Sequence, residues 1–242
     1  MSRAILITGA GARVGRHLAK GLAAEGWAVA IHYNRSKDGA ETLAKEIKEK
    51  GGKAAIVQGN LFVPQDLEGL ISRASDALGE PLTALINNAS TFEDDRAEDF
   101  TRASYDYHMD INLRAPVMLA QQLAMQLPKG ETGSIINIID QRVLNPDPTF
   151  FTYAMSKSAL HWATKTLAQS FAPYVRVNAI GPGPTLKNHT QTDDDFAGEA
   201  ASTLLGAGSP PESLLDAVRY LLMAKSVTGQ MIAVDGGQHL SN

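Results

Sequence analysis

The chain is predicted to fold as an α/β protein, a doubly wound parallel sheet with helices on both faces, on three observations. Short apolar runs alternate with longer amphipathic stretches along the whole length. The first of those runs leads into a Gly-rich turn and then a helical pattern. The segment Ser134–Ile139 is almost continuously apolar, as in a strand buried on both faces. At 242 residues, 44% hydrophobic and 20% charged, the composition suits one soluble globular domain spanning residues 1–242.

The elements follow in order. Ala4–Ile7 is a β-prone run, and Thr8–Gly15 is the Gly-rich turn that opens a helix through Leu18, Leu22 and Ala23. Trp27–His32 is the second strand, ending in Tyr33-Asn34-Arg35-Ser36. A helix over Ala40–Lys50 stops at Gly51-Gly52, and a third strand, Ala54–Gln58, leads to Gly59-Asn60-Leu61. Pro64–Leu78 opens with proline and stops at Gly79, the usual asymmetry of helix ends. Leu82–Ile86 is the fourth strand and runs into Asn87-Asn88-Ala89-Ser90-Thr91-Phe92.

Ser104–Leu127 reads as one long helix that contains Asn112, with a kink or local break at Pro116. The fifth strand, Ser134–Ile139, ends at Asp140. A helix carrying Tyr153 and Lys157 then runs to about Ala172 with Leu160, Ala163, Leu167 and Phe171 as its core stripe. Val175–Ile180 is the sixth strand and leads into Gly181-Pro182-Gly183-Pro184. Residues 186–209 combine the acidic run Asp193-Asp194-Asp195 with weak helical periodicity and are expected to form a mobile flap over a substrate. A last helix, Pro211–Ala224, precedes the strand Gln230–Val234 and Asp235-Gly236-Gly237.

Several function classes are excluded. A net charge of -4 gives no electrostatic reason for a nucleic-acid or membrane partner. No cysteine is present, so disulfides, thiolate metal sites and a cysteine nucleophile drop out, and the histidines form no metal-binding cluster. With no leader-like start and no apolar run long enough to span a bilayer, the expected location is cytoplasmic.

Chemistry is concentrated at Tyr153-Ala154-Met155-Ser156-Lys157. Four residues apart on a helix, phenol and ammonium share a face, and a neighbouring cation is expected to lower the phenol pKa and fit it for acid–base work. Tyr33 and Lys37 have the same spacing but lie in a turn-rich stretch. In open α/β sheets ligands bind at the carboxyl ends of strands, which places Asp140 where a reaction would occur. The Gly-rich turn and the helix after it offer free N–H groups to a pyrophosphate. After the second strand Arg35 and Ser36 stand where an acid would bind a free ribose 2′-hydroxyl, so the expected cofactor carries a 2′-phosphate: NADPH rather than NADH.

With the Gly-rich turn, Asn87-Asn88-Ala89, Asn112, Tyr153-x-x-x-Lys157, Pro182-Gly183 and Asp235-Gly236-Gly237 in this order, the chain resembles the short-chain dehydrogenase/reductase superfamily over essentially its whole length. That resemblance implies a single Rossmann-type domain, a homotetramer, and hydride transfer between a nicotinamide cofactor and a substrate. It implies Tyr153 as proton donor, Lys157 as holder of the nicotinamide ribose, and Asn112 as anchor of a relay water. Cofactor contacts are implied for Gly9, Arg13, Val14, Gly15, Tyr33, Asn34, Arg35, Ser36, Asn60, Leu61, Asn88, Ala89, Ser90, Pro182 and Gly183, with Tyr153 and Lys157.

Three departures narrow the expectation. Arg13 replaces a glycine of the usual turn, Asp140 replaces the usual serine thirteen residues before the tyrosine, and Asn88-Ala89 continues into Ser90-Thr91-Phe92. These features, with His32-Tyr33-Asn34-Arg35-Ser36, resemble the pteridine reductase branch, which reduces pterins and folates with NADPH and in bacteria includes dihydromonapterin reductases. Physics points the same way. A carboxylate about 4 Å from the oxyanion of a reduced ketone opposes it by roughly 4 kcal/mol at an effective dielectric near 20. A pterin instead offers N–H donors to such an acceptor and ring nitrogens that must gain a proton. Substrate contacts are then expected from Arg13, Ser90, Phe92 (stacking on the ring), Asp140 and Tyr153. The rival expectations are a reductase of another carbonyl or imine compound and a non-catalytic NADP(H)-binding sensor.

Overall fold

The computed structural model describes residues 3–188 and 190–241. Seven strands form one wholly parallel sheet: β1 (Ala4–Ile7), β2 (Ala28–Tyr33), β3 (Ala54–Gln58), β4 (Ala84–Asn87), β5 (Gly133–Ile138), β6 (Val175–Pro182) and β7 (Met231–Val234). Their order is β3-β2-β1-β4-β5-β6-β7, so the winding reverses between β1 and β4 and leaves a crevice beyond their carboxyl ends.

Strand alternation divides the core. Ile5 and Ile7 of β1 face one layer, with Leu18 and Leu22 of α1 (Arg13–Ala24), Leu43 and Ile47 of α2 (Lys37–Glu49), and Leu214 and Val218 of a carboxyl-terminal helix. Ala4 and Leu6 face the other layer, with Leu70 and Ile71 on one helix and Leu119 and Leu123 on another. Every strand from β1 to β5 except the edge strand β3 is buried along its full length, and this is why their sequences are continuously apolar rather than alternating.

Two helices depart from expectation. The one expected over 64–78 is two, α3 (Pro64–Leu67) and α4 (Leu70–Leu78), because Gly69 adopts φ +65° between them. The long helix breaks locally just before Pro116. It runs as α5 (Arg102–Met109), a π-helical turn (Asp110–Arg114) and α6 (Ala115–Gln126). Pro116 has no N–H for the carbonyl of Asn112 four residues earlier, and the wider π turn accommodates that loss. Helix α7 (Phe151–Phe171) matches expectation.

The expected flap contains a regular helix, α8 (Asp193–Ala201), before α9 (Pro211–Met223). Thr192 and Asp195 form a reciprocal capping box at its start, and the three aspartates occupy the first turn, where the helix dipole favours them. His189, within the same expected flap, lies outside the described residues. Among the described residues, no helix is long and apolar enough to cross a membrane.

Candidate active site

Beyond the carboxyl ends of β1, β4, β5 and β6 opens a cleft of about 660 Å³. Its floor begins at the Gly-rich turn. Gly9 sits at φ +66°, and a Cβ there would come within 3.1 Å of the Ala89 backbone. At Gly15 a Cβ would meet the Gly9 carbonyl and the Asn88 amide at 2.6 Å. Both positions therefore require glycine, and with Val14 they bring bare backbone to the wall of the cleft at the start of α1. Buried His32 fixes the turn from below: Gly9 N–H donates to its Nδ1 at 3.1 Å, and its Nε2 lies 3.0 Å from the Gly59 carbonyl. Burial pushes the His32 pKa down to about 4, so the ring is neutral.

Asp140, leaving β5, and Tyr153, in the first turn of α7, meet in the cleft: the Tyr153 hydroxyl donates to Asp140 Oδ2 at 2.7 Å. Asp140 Oδ1 accepts the Arg142 N–H at 2.9 Å. Lys157, one helical turn beyond Tyr153, is buried and donates to the Ile138 carbonyl at 3.0 Å, with its Nζ 5.7 Å from the Tyr153 ring centre. Burial raises the Asp140 pKa, outweighing its hydrogen bonds and the nearby Arg142 and Lys157. The expected acidification of the phenol is corrected. Tyr153 is pushed well up, first by burial and then by the Asp140 charge, so it stands as a protonated donor. Burial lowers Lys157 to about 8.

The cleft also gathers Arg13, Asn88, Ala89, Ser90, Phe92, Pro182 and Gly183, as expected. Arg13 takes the left-handed conformation, φ +50°, at a position where glycine would be at ease. Its guanidinium donates to the carbonyls of Leu186 and Lys187 at 3.1 and 2.8 Å, tying the turn to the segment after β6. Phe92 is stacked on Phe150, with ring centres 4.1 Å apart and 10° between planes, and meets Tyr153 edge-on at 4.7 Å.

Other expected contacts lie elsewhere. Asn34, Arg35 and Ser36 are exposed beyond β2, outside the lining of the cleft, and Asn34 donates to Asn60 at 3.4 Å. The side chains of Tyr33 and Leu61 are buried, one in each of the two core layers. The Asn112 side-chain amide is saturated within the protein. It is fully buried, donates to the Thr91 carbonyl and Ser156 Oγ, and accepts from Thr91 N and Ser90 Oγ, which uses its whole capacity on protein partners.

Gln141, Arg142, Phe150 and Gln238 also line the cleft without a local signal of their own in the sequence, and Glu199 joins them from within the expected flap. Arg142 lies over the Phe150 ring at 5.0 Å, and Glu199 accepts from Gln191 at 2.7 Å and Gln238 at 3.4 Å. Gln141 is buried with its Oε1 unpartnered, an acceptor at the edge of the cleft. A Gly-Gly pair after β7 could have flagged the carboxyl-terminal end as a turn near the cleft.

Known proteins are similar to this chain over nearly its whole length. The family model described as short chain dehydrogenase matches residues 3–197. FolM alternative dihydrofolate reductase 1 from Brucella suis, solved in complex with NADP, is 44% identical, superposes with a TM-score of 0.95, and is covered to 95% by 98% of this chain. The corresponding structure from Brucella canis, complexed with NADP, is 43% identical with a TM-score of 0.93, over 99% of this chain and 95% of that one. The 3-oxoacyl-[acyl-carrier-protein] reductase FabG of Staphylococcus epidermidis is 29% identical over 245 residues, 99% of this chain and 100% of that protein.

Proposed function

This chain belongs to the short chain dehydrogenase family, and on that premise we propose that it is an NADPH-dependent reductase of pterin or dihydrofolate type substrates. The observation that carries the substrate class is Asp140, whose carboxyl lies 2.7 Å from the Tyr153 hydroxyl in the position where a hydroxyl would suit a ketone. The FolM proteins, described as alternative dihydrofolate reductases, support it.

The residues present fit the cofactor. Gly9 and Gly15 leave room that any Cβ would fill, the start of α1 offers N–H groups to a pyrophosphate, and exposed Arg35 and Ser36 suit a 2′-phosphate. Val14, Asn88, Ala89, Ser90, Pro182 and Gly183 shape the bed, the backbones of Tyr33 and Leu61 and the side chains of Asn34 and Asn60 border the adenosine end, and Lys157 holds the nicotinamide ribose. When bound, the cofactor supplies a hydride. Tyr153, protonated at neutral pH, gives its proton to the substrate; Asp140 accepts ring N–H groups and relays a proton from solvent to the phenolate that is left. Arg13 reaches the polar edge of the heterocycle, and Phe92 covers one face of it. Asn112 contributes to a water relay through its backbone carbonyl, since its amide is saturated.

The domain is taken as single over 1–242, with residues 186–209 as the substrate cover; α8 and the Arg13 contacts support an ordered cover rather than a slack loop. A homotetramer is supported by exposed large apolar side chains on three helices: Met125 of α6, Met155 and Trp162 of α7, and Tyr220 and Met223 of α9. The enzyme works in the cytoplasm.

A second reading, reduction of another carbonyl or imine compound, is favoured by the raised Asp140 pKa, because a protonated carboxyl acts as a hydroxyl. NADPH oxidation is measured with dihydrobiopterin, dihydromonapterin and dihydrofolate beside a ketone panel, with NADH in parallel. Pterin or dihydrofolate turnover with NADPH is expected; turnover of ketones alone refutes the substrate assignment.

A further inference from the structure

Behind the phenol lies a buried polar chain that the reaction as described does not use. His108 of α5 is fully buried, and its Nε2 accepts the backbone N–H of Glu93 at 3.2 Å. A backbone N–H only donates, so Nε2 is bare, and a neutral imidazole then carries its proton on Nδ1. Nδ1 lies 2.7 Å from Thr152 Oγ1, which receives that proton in a hydrogen bond. The Thr152 hydroxyl must turn its own hydrogen elsewhere, and the acceptor is Asp95 Oδ2 at 2.5 Å. The direction of every bond in the chain His108–Thr152–Asp95 is thus fixed by one backbone donor.

The same loop caps α7 from outside. Phe150, the residue before the helix, offers no side-chain cap, yet the N–H groups of Phe150, Phe151 and Thr152 are taken. Phe150 N–H donates to Asp94 Oδ1 at 3.0 Å, Phe151 N–H to the Asp95 carbonyl at 2.9 Å, and Thr152 N–H to Asp95 Oδ1 at 2.8 Å. Two carboxylates at a helix start are also favoured by its dipole. Phe92, in the loop, and Phe150, at the helix entry, are clamped together by these bonds, and Tyr153 follows Thr152 directly.

We propose that Asp95, Thr152 and His108 are positioning residues for the reduction: they lock the Phe92 loop to the entry of α7 and so set where the Tyr153 hydroxyl and the Phe92–Phe150 wall of the cleft stand relative to the substrate. None touches the cleft; their effect passes through Tyr153 and Phe92. A hydrogen-bond network saturated on both sides can hold such a position to a fraction of an ångström, and misplacement by about 1 Å costs on the order of 100-fold in rate. The proposal is independent of substrate identity, so the assay uses whichever compound of the panel the wild-type enzyme turns over fastest.

Thr152→Val keeps the shape and deletes both hydrogen bonds. Expected are a kcat at least tenfold lower, a KM for NADPH changed by less than twofold, and recovery to within threefold of wild type in Thr152→Ser. In the cofactor-free protein, amide hydrogen exchange should rise over residues 90–96 and 148–153 and stay unchanged in the sheet. Should Thr152→Val not fold, His108→Gln is compared with His108→Leu: the amide can accept from Glu93 and donate to Thr152, whereas leucine can do neither. His108→Gln is expected within threefold of wild type and His108→Leu at least tenfold slower. A Thr152→Val enzyme that keeps more than half its kcat, a serine variant as slow as the valine one, or equal rates for the two His108 variants overturns the proposal.

Discussion

Replacing Asp140 by serine tests the link between charge and substrate. An oxygen receiving the Tyr153 proton lies one hydrogen bond from the phenol, and the phenol is 2.7 Å from the carboxylate. The developing oxyanion of a ketone therefore stands about 4 Å from Asp140, a repulsion of roughly 4 kcal/mol at an effective dielectric near 20. Removing the charge should speed ketone turnover by up to about 1,000-fold from a very low base. Pterin turnover should fall by about 100-fold or more, the usual range for loss of a group that moves protons. The same substitution should stabilise the free protein. Burial raises the Asp140 pKa, so between the unfolded value of 3.8 and the higher folded value the native state binds the extra proton. Stability then falls as pH rises through that window, and a neutral side chain escapes the loss. The assay is NADPH oxidation with a dihydropterin and a cyclic ketone, with thermal melts at pH 5 and pH 8. If Asp140→Ser kept pterin turnover within threefold of wild type, the electrostatic reasoning would be wrong.

Two further outcomes follow from buried groups. His32 is held neutral with its pKa near 4, against 6.5 in the unfolded chain. The unfolded state takes up the proton first, so stability is full above pH 6.5 and drops by roughly 3 kcal/mol as pH falls to about 4. Denaturant melts of wild type and His32→Gln across that range should differ by one proton in slope; parallel curves would refute it. Lys157 is lowered from 10.5 to about 8, so its charge at neutral pH opposes folding by roughly 3 kcal/mol, and wild-type stability rises between pH 8 and 10.5. Lys157→Met should thus melt higher at pH 7 while losing at least about 100-fold in turnover, and a lower melting temperature would count against the burial argument.

How much was legible in the sequence depended on how far the cause lay from the residue it governs. The strands and the Gly-rich turn are local: continuous apolar runs and glycines at Gly9 and Gly15 report burial and close approach directly. The meeting of Asp140 with Tyr153 was also within reach, because one ends a strand and the other begins the next helix. Phe150 was missed because the ring it stacks on, Phe92, comes from another segment, and Arg142 because its place over Phe150 depends on how the intervening loop folds back. The phenol pKa was read in the wrong direction for a related reason. The i+4 lysine is visible in sequence, whereas the depth of burial and a carboxylate at hydrogen-bond distance are tertiary facts. By contrast, helix α8 was written locally in Thr192 and Asp195 and could have been found from its capping box.

The bond pattern of Arg13 has a consequence for how this cleft can change over time. Its guanidinium grips the chain after β6 by main-chain oxygens alone, those of Leu186 and Lys187. Every amino acid carries such an oxygen, so side chains in that stretch are free to drift without releasing it. An anchor indifferent to sequence lets new substrate preferences arise by substitutions there while the attachment to the nucleotide turn persists, and it marks residues 190–200 as ground for altering selectivity with Arg13 left alone.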